Sequence, residues 1–166
     1  FGAIISATPG GVLGGITVSN GMRWSPRGDV FYYIDSMTGT VDAFDYDPAR
    51  GSLRDRRSVV TLPDGGADGM TVDAEGALWV ALWGQGEIRR FTPDGRHDRT
   101  VRVPTPYVTS CEFGGPDLAV LYITSAARPG ADAEPREPAP AGGVFTCVPG
   151  PVGLPARSSR CRWTTC

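Results

Sequence analysis

The amino-acid sequence predicts an all-β protein of the β-propeller class. The 166 residues include 23 glycines and 15 prolines, a content typical of chains with many turns. These residues interrupt every window of about a dozen residues, so no segment sustains the period of an α-helix. The sequence also repeats, because Asn20-Gly21-Met22 returns 48 positions later as Asp68-Gly69-Met70.

The repeat extends through two complete copies of a four-strand pattern. Gly28-Asp29-Val30-Phe31 aligns with Gly76-Ala77-Leu78-Trp79 at the same offset, and an apolar run follows each. Turn-forming residues separate the predicted strands at 25–28, 36–39 and 47–51 in the first copy and at 73–76, 84–86 and 92–95 in the second. Four antiparallel strands over about 40 to 50 residues are the pattern of one propeller blade.

A third, weaker copy of the pattern follows. Leu121-Tyr122-Ile123-Thr124 aligns with Leu78-Trp79-Val80-Ala81 of the second copy. From 126 to 143 the composition changes to Ala, Pro, Glu, Asp and Arg, which predicts an exposed loop within the blade. Strand character returns at 143–146. These features predict a third blade interrupted by a long loop.

The chain is expected to form part of a larger ring. Residues 1–19 predict outer strands of an earlier blade, at 3–6 and 12–18, which brings the count to about three and a half blades. Known propellers close with roughly four to eight blades. Because the sequence starts with Phe rather than Met, residues 1–156 are interpreted as the C-terminal part of a propeller. The patternless residues 157–166 are expected to be a disordered tail.

The charge balance disfavours nucleic acid and membranes as partners. There are 16 basic residues, all of them Arg, and 18 acidic ones, for a formal net charge of -2. No apolar run approaches the ~20 residues that span a bilayer, and no signal peptide is recognisable. The cysteines lack a C-x-x-C pair, which predicts reduced thiols, with a disulfide between Cys161 and Cys166 as the alternative in an oxidising compartment. We therefore expect a cytoplasmic protein.

Asn20 and Asp68 are the candidate site residues, because they hold the same place in successive repeats. Each precedes the first apolar strand of its blade, so repeat symmetry directs both side chains to one mouth of the channel. A carboxylate and a carboxamide oxygen suit Ca²⁺, Mg²⁺ or Mn²⁺, and Zn²⁺ in a strained site. The alternative is that an Asx residue before Gly caps its own backbone in a turn. The residues alone leave both interpretations open.

A series of ordered motifs carries a resemblance to a known family. The motifs are Ser19–Ser25, Phe31–Ser36, Thr40–Asp47, Asp68–Met70, Asp73–Ala81, Thr109–Cys111 and Phe113–Gly115. Together they resemble the regucalcin (senescence marker protein) and gluconolactonase family, and the resemblance runs from about Gly2 to Pro155. It implies a six-bladed propeller that hydrolyses sugar lactones with one divalent cation in the channel mouth.

The resemblance also implies roles for the two candidate residues. Asn20 is expected to be a metal ligand, and Asp68 both a metal ligand and the general base. The family's metal-binding Glu, a further Asn ligand and the sugar-contacting Arg and Asn come from a first half that is absent here. We therefore expect a metal-dependent lactonase of which this chain is an inactive fragment. The alternative is a noncatalytic calcium-binding or interaction propeller, or a truncated product with no activity.

Other polar positions are weaker candidates for the site. Ser110 and Cys111 stand at the corresponding start of the third copy and could line the channel, although Cys111 is better interpreted as a small core residue. Asp35 and Ser36 end a strand, where a turn cap is the favoured interpretation. His97, the only histidine, is predicted in a solvated turn, and its isolation argues against a catalytic triad.

Three tryptophans are interpreted as packing residues. Trp24, Trp79 and Trp83 fall in or beside predicted strands, where flat aromatic rings fill the space between twisted sheets. Trp83 has a second interpretation, in which it borders the substrate. No residue is assigned to substrate binding from the sequence.

Overall fold

The computed structural model describes residues 13–127 and 141–156, and every regular element in those ranges is a β-strand. The strands in chain order are β1 (Ser19–Trp24), β2 (Val30–Asp35), β3 (Thr40–Asp47), β4 (Ser52–Thr61), β5 (Ala67–Val72), β6 (Leu78–Leu82), β7 (Glu87–Phe91), β8 (His97–Arg102), β9 (Val108–Gly114), β10 (Val120–Ser125) and β11 (Val144–Cys147). The predicted all-β class is confirmed. The described ranges contain no helix that is long and apolar enough to cross a membrane.

The strands form three antiparallel sheets that follow one another along the chain. Strands β1 to β4 and β5 to β8 are four-stranded meanders, and β9 to β11 make a three-stranded sheet. Strand β5 packs against β1 on one side and against β9 on the other. The sheets are thus successive propeller blades with their first strands adjacent on the inner side. The predicted four-stranded repeat is confirmed in the first two blades.

Two apolar clusters join the three blades. Tyr32 and Ile34 of the first blade meet Leu78 of the second in one cluster. Trp79 of the second blade meets Leu121 of the third in the other. Strand β6 is buried along its whole length, because its alternating side chains enter the two clusters in turn. Trp79, which has no exposed surface, is a packing residue as predicted.

The strand pairing corrects one part of the repeat alignment. Met22 pairs with Tyr33 in the first blade, and the equivalent Met70 pairs with Val80 in the second. The offset between the two blades is therefore 48 residues in the first strands but 47 in the second strands. In the third blade, Ile123 holds the same place in the pairing of the first two strands that Val80 holds in the second blade. The predicted alignment of Ile123 with Val80 is therefore confirmed.

An extra residue in the first turn causes this slip. Backbone hydrogen bonds close the turn over 25–30 in the first blade but over 73–77 in the second. Because side chains alternate along a strand, a shift of one residue moves each side chain to the other face. Phe31 consequently takes the place of Leu78, and the alignment of Phe31 with Trp79 is wrong.

A buried ion pair ties the first turn of the second blade to its third strand. Asp73 is fully buried and accepts hydrogen bonds from Trp79 Nε1 and Arg90 Nε, each at 2.8 Å. The Arg90 guanidinium, with a side chain only 6% exposed, also donates to Glu75 and Asp98. Every buried charge in this network has a partner, which a buried ion pair requires to be tolerated.

Residues 13–18 form bends rather than the predicted strand at 12–18. The reason is Asp35, whose buried carboxylate accepts the backbone N–H groups of Thr17 at 2.8 Å and Val18 at 2.9 Å. These N–H groups are thereby satisfied without a neighbouring strand. Three backbone N–H groups, led by that of Thr17, hold the pKa of Asp35 below its usual value. Asp35 is therefore a cap, as favoured from the sequence.

The remaining differences concern the ends of elements. His97 opens strand β8 instead of lying in a turn, although its ring is exposed and contacts Phe91. The predicted strand at 3–6, most of the predicted 126–143 loop and the predicted tail at 157–166, with its two cysteines, lie outside the described residues. Cys111 and Cys147 are free thiols.

Candidate functional site

The structure places Asn20 and Asp68 on two strands that pack against each other. They are the second residues of strands β1 and β5, the adjacent inner strands of the first two blades, and both side chains are half-buried. The Asn20 side chain lies near enough to the Asp68 carboxyl group to lower the pKa of Asp68, against the larger effect of burial. A β-bulge follows at this point in both strands, between residues 19 and 22 and between residues 67 and 70. The two residues thus share one local geometry, as their place in the repeat predicted.

The environment of Asp68 makes its carboxylate a stronger base than an exposed one. Burial raises its pKa above the ordinary value, and hydrogen bonds from the Asn20 side chain and the Gly69 backbone N–H only partly oppose this effect. A carboxylate with a raised pKa accepts a proton more readily than an exposed one. A raised pKa of this kind is one property that general-base chemistry uses.

The glycines after these residues let the inner strands approach closely. A Cβ added to Gly21 would lie 2.8 Å from the Met70 backbone nitrogen and 2.9 Å from the Asp68 carbonyl oxygen. A Cβ added to Gly69 would lie 2.5 Å from Ser110 Cβ. Neither glycine has a positive φ, so close approach, not turn formation, requires them. These glycines therefore serve the close approach of neighbouring inner strands.

Ser36 is a site neighbour that sequence reasoning assigned to a turn cap. Its hydroxyl oxygen accepts a hydrogen bond from Asn20 Nδ2 at 3.0 Å. Its neighbour Asp35 points instead to the backbone of residues 17 and 18. The two residues at the end of β2 therefore have different roles, because successive side chains at a strand end point to opposite sides.

An open depression of about 390 Å³ lies over the inner strands of all three blades. Asn20, Gly69 and Ser110 line it, each from a different blade. Ser110 thus borders the same surface as Asn20, as considered from the sequence. Cys111 is buried between the second and third blades, and burial raises the pKa of its thiol to about 12. It is a core residue, as favoured, and is poorly suited to act as a nucleophile.

A second polar group links the inner strands farther along the channel. Arg23 and Glu112 form an ion pair, and Thr71 Oγ1 donates to Glu112 Oε1 at 2.8 Å. The three residues hold the equivalent position in the three blades, one residue after Met22 and its counterparts. They border a cavity of about 430 Å³. No sequence motif predicts this pair, because its partners lie on the first and third blades, with one blade between them.

The exposed tryptophans pack only in part. Trp24 is 43% exposed and rests against Phe31, and Trp83 is 41% exposed and rests against Tyr107. Both rings therefore pack on one side and face solvent on the other, whereas Trp79 of β6 is fully buried. His97 donates to or accepts from Thr100 on its own strand and lies apart from the inner strands. No hydrogen bond within the described residues links it to Asn20 or Asp68.

Comparison with known proteins assigns the fold to a family. Residues 7–127 match the SMP-30/Gluconolactonase/LRE-like region. The chain belongs to this family. Regucalcin of Bos taurus is 44% identical over 134 residues, which cover 78% of this chain and 44% of that protein.

Two solved structures of the SMP-30/gluconolactonase family resemble the described fold. A calcium-binding regucalcin of Agrobacterium tumefaciens is 30% identical, with a TM-score of 0.72 over 84% of this chain and 48% of that one. A gluconolactonase of Xanthomonas campestris is 29% identical, with a TM-score of 0.60 over 68% of this chain and 36% of that one. The chain spans about half the length of the curated relatives it matches.

The donor set at Asn20 and Asp68 suits part of the coordination shell of a hard divalent cation. A carboxylate and an amide oxygen are among the ligands that Ca²⁺ and Mg²⁺ prefer. Among the described residues, no group of three or more His, Cys, Asp or Glu side chains converges to hold a metal ion. Since Ca²⁺ takes six to eight oxygen ligands, these two side chains would need water or further protein groups to complete the shell.

Proposed function

We propose that the protein hydrolyses sugar lactones, with Asn20 and Asp68 holding one divalent cation and Asp68 acting as general base. The observation that carries the proposal is the equivalent placement of Asn20 and the half-buried Asp68 on adjacent inner strands. Membership in a family named for gluconolactonases supports the substrate class. Ca²⁺, Zn²⁺, Mn²⁺ and Mg²⁺ are the candidate cations.

The cation, Asp68 and Asn20 would each have a different role in the reaction. A bound cation supplies Lewis-acid polarisation of the lactone carbonyl. Asp68 takes a proton from water as the water oxygen bonds to the carbonyl carbon. The ring C–O bond then breaks, and Asp68 returns the proton to the leaving oxygen, which yields the open hydroxy acid. Asn20 contributes its amide oxygen to the cation site, and its N–H group donates to Ser36 Oγ.

We further propose that these three blades are one part of a closed propeller ring. The protein that contains the complete ring is called the whole protein below. Two side chains are too few for a hard-cation shell, and the chain spans about half the length of its curated relatives. The remaining ligands and the substrate contacts would then come from the rest of the ring. The 166-residue chain alone is proposed to be inactive. Cytoplasmic localisation stays a prediction.

A noncatalytic calcium-binding propeller is the second candidate. The small number of oxygen donors in the described residues favours it, since cation binding can persist where a complete catalytic site does not. The test is hydrolysis of gluconolactone by the whole protein, followed as acid release, after chelation and after addition of each cation. Turnover that is lost on chelation and restored by a cation supports the lactonase. Saturable cation binding without turnover supports the noncatalytic propeller.

A further inference from the structure

A β-bulge interrupts the first strand of each of the three blades at the same place. In the first two blades, residues 20–21 and residues 68–69 each stand opposite a single residue of the second strand. The third blade repeats this arrangement, because its pairing shifts between Thr124 and Ser125 and leaves residues 109–110 opposite Thr124. Bulges redirect side chains and are common beside active sites.

The strand pairing makes Thr109 the third-blade counterpart of Asn20 and Asp68. Each of these three residues is the first residue of its bulge. Ser110, a candidate from the sequence, is instead the counterpart of Gly69. Equivalent positions of the three inner strands therefore carry an amide, a carboxyl group and a hydroxyl group.

Thr109 borders the same surface as Asn20. Both residues line the open depression of about 390 Å³ over the inner strands. The Thr109 and Thr124 hydroxyl oxygens lie 2.7 Å apart and share an exposed hydrogen bond. In the other two blades the residue opposite the bulge is Ile34 or Ala81, which has no polar side chain. A pair of hydroxyl groups at this place is therefore not required by the fold.

The chemistry of this hydroxyl pair suits a hydroxylated ligand. A hydroxyl group carries one donor hydrogen and two acceptor lone pairs. Whichever threonine donates to the other, one hydrogen remains, and the contact from Thr124 to the Ser110 carbonyl oxygen that competes for it is long, at 3.4 Å. A sugar hydroxyl also both donates and accepts, so it matches the pair in either arrangement. An uncharged hydroxyl adds no charge to attract a cation, which favours a role towards the substrate.

We propose that Thr109, supported by Thr124, binds a hydroxyl group of a polyhydroxylated lactone. This inference rests on the proposed lactonase function and names a substrate contact for it. The location is suitable, because Thr109 lies on β9, the inner strand that packs against the β5 strand of Asp68. A contact with a hydroxyl group that does not react contributes equally to binding of the substrate and of the transition state.

The test is steady-state hydrolysis by the whole protein of two δ-lactones, gluconolactone and δ-valerolactone, of which the second has no hydroxyl groups. Thr109→Val is expected to raise KM for gluconolactone about 3- to 10-fold with kcat nearly unchanged, the scale of one net hydrogen bond. KM for δ-valerolactone should not change. Thr109→Ser, which keeps the hydroxyl group, should behave as wild type. Thr146→Val is the matched control, because Thr146 lies on β11, the strand of the same blade farthest from β9.

Calorimetric titration with gluconate, the product of gluconolactone hydrolysis, measures the same contact without turnover. Thr109→Val should bind gluconate about 3- to 10-fold more weakly than wild type, and circular dichroism checks that each variant is folded. An equal rise in KM for both lactones would overturn the inference, as would wild-type KM and gluconate affinity in Thr109→Val.

The two readouts distinguish failure of this inference from failure of the proposed function. Wild-type protein that hydrolyses neither lactone would overturn the proposed function. Gluconate affinity that still falls in Thr109→Val would then support the hydroxyl-binding role by itself. Gluconate affinity that is absent, or equal in both proteins, would overturn that role as well.

Discussion

The Asn20 side chain lies beside the Asp68 carboxyl group across the boundary between two blades and lowers its pKa, against the larger effect of burial. The two residues occupy the same position of strands β1 and β5, so one sequence repeat supplies both residues. Their chemistry differs, however, since only the carboxylate can take up a proton. The amide is therefore expected to orient and ligate, and the acid to ligate and act as the base.

Asp68→Asn in the whole protein is expected to leave the fold intact and to lower lactone hydrolysis at least ~100-fold, the usual scale for loss of a positioned base. The amide has nearly the same shape but cannot accept the proton. Acid release at saturating cation measures the effect. Asp64→Asn, an exposed change four residues earlier, is the control. Activity of Asp68→Asn within a few-fold of wild type would assign the base to another residue.

The same substitution is expected to raise stability at neutral pH when no cation is present. Burial raises the pKa of Asp68 in the folded protein above its ordinary value of 3.8. A raised folded-state pKa contributes stability below the unfolded-state value, and this contribution disappears as the pH rises through the folded-state value. Ionisation of the buried Asp68 therefore lowers the stability of the folded protein, and Asn, which does not ionise, removes this effect.

Thermal unfolding with a chelator present measures this effect as a function of pH. The melting temperature of Asp68→Asn should exceed that of the wild type at neutral pH, and the difference should shrink as the pH falls towards about 4. The exposed Asp64→Asn variant is measured beside it as the control for the loss of one surface carboxyl group. Equal melting temperatures at neutral pH would mean that the hydrogen bonds to Asp68 offset its burial.

The repeat predicted the inner-strand position of the site, but not the contacts that surround it. Asn20 and Asp68 could be paired from their spacing, because the offset of 48 residues holds through the first strands. The pairing of Phe31 with Trp79 was wrong, since one additional residue in a turn shifts every later side chain to the opposite face. The spacing between repeats therefore predicts equivalent residues only up to the first turn whose length differs between the two blades.

Ser36 and the glycines show a second limit of the sequence. The contact of Ser36 with Asn20 depends on the register between β1 and β2, which the spacing of residues within one strand does not contain. Gly21 and Gly69 are of a residue type common in turns, but both lie inside strands. A neighbouring blade approaches so closely there that no side chain fits. Both features depend on tertiary packing and could not be derived from local propensity.

Gly69→Ala is expected to destabilise the protein and weaken cation binding. The added Cβ would lie 2.5 Å from Ser110 Cβ and 2.7 Å from the Thr109 carbonyl oxygen, so strands β5 and β9 must separate. The expected loss is about 1–3 kcal/mol in the free energy of unfolding, measured with urea. Gly14→Ala is the control, because nothing lies within 4 Å of its added Cβ. Equal stability of both variants would contradict the close-approach role.

Arg90→Met is expected to destabilise the second blade by about 3–5 kcal/mol, because it leaves the fully buried Asp73 without its cationic partner. The matched control is Arg99→Met, which removes an ion pair between Asp98 and a side chain that is 43% exposed. That pair should contribute only about 0–1 kcal/mol. Urea unfolding of both variants measures the difference. A loss of similar size in both would show that Asp73 is stabilised by its other hydrogen bonds alone.

The 166-residue chain by itself is expected to lack lactonase activity and to associate. Its inner strands supply two side chains for a shell that hard cations fill with about six or more oxygens, so cation affinity should be weak. The third blade also carries exposed apolar side chains, with Tyr122 at 42% and Val144 at 65% exposure. Apolar surface of this kind on a blade favours contact with another chain.

Light scattering and hydrolysis of gluconolactone with added Ca²⁺, Mn²⁺ or Zn²⁺ test this last expectation on the chain of 166 residues. Tyr122→Lys combined with Val144→Lys should reduce association, because a charge resists transfer into an apolar contact. The same double change should leave hydrolysis at the spontaneous rate, since neither residue lies on an inner strand. A monodisperse chain with cation-dependent turnover would mean that three blades hold a complete site. The ligands proposed to come from the rest of the ring would then be unnecessary.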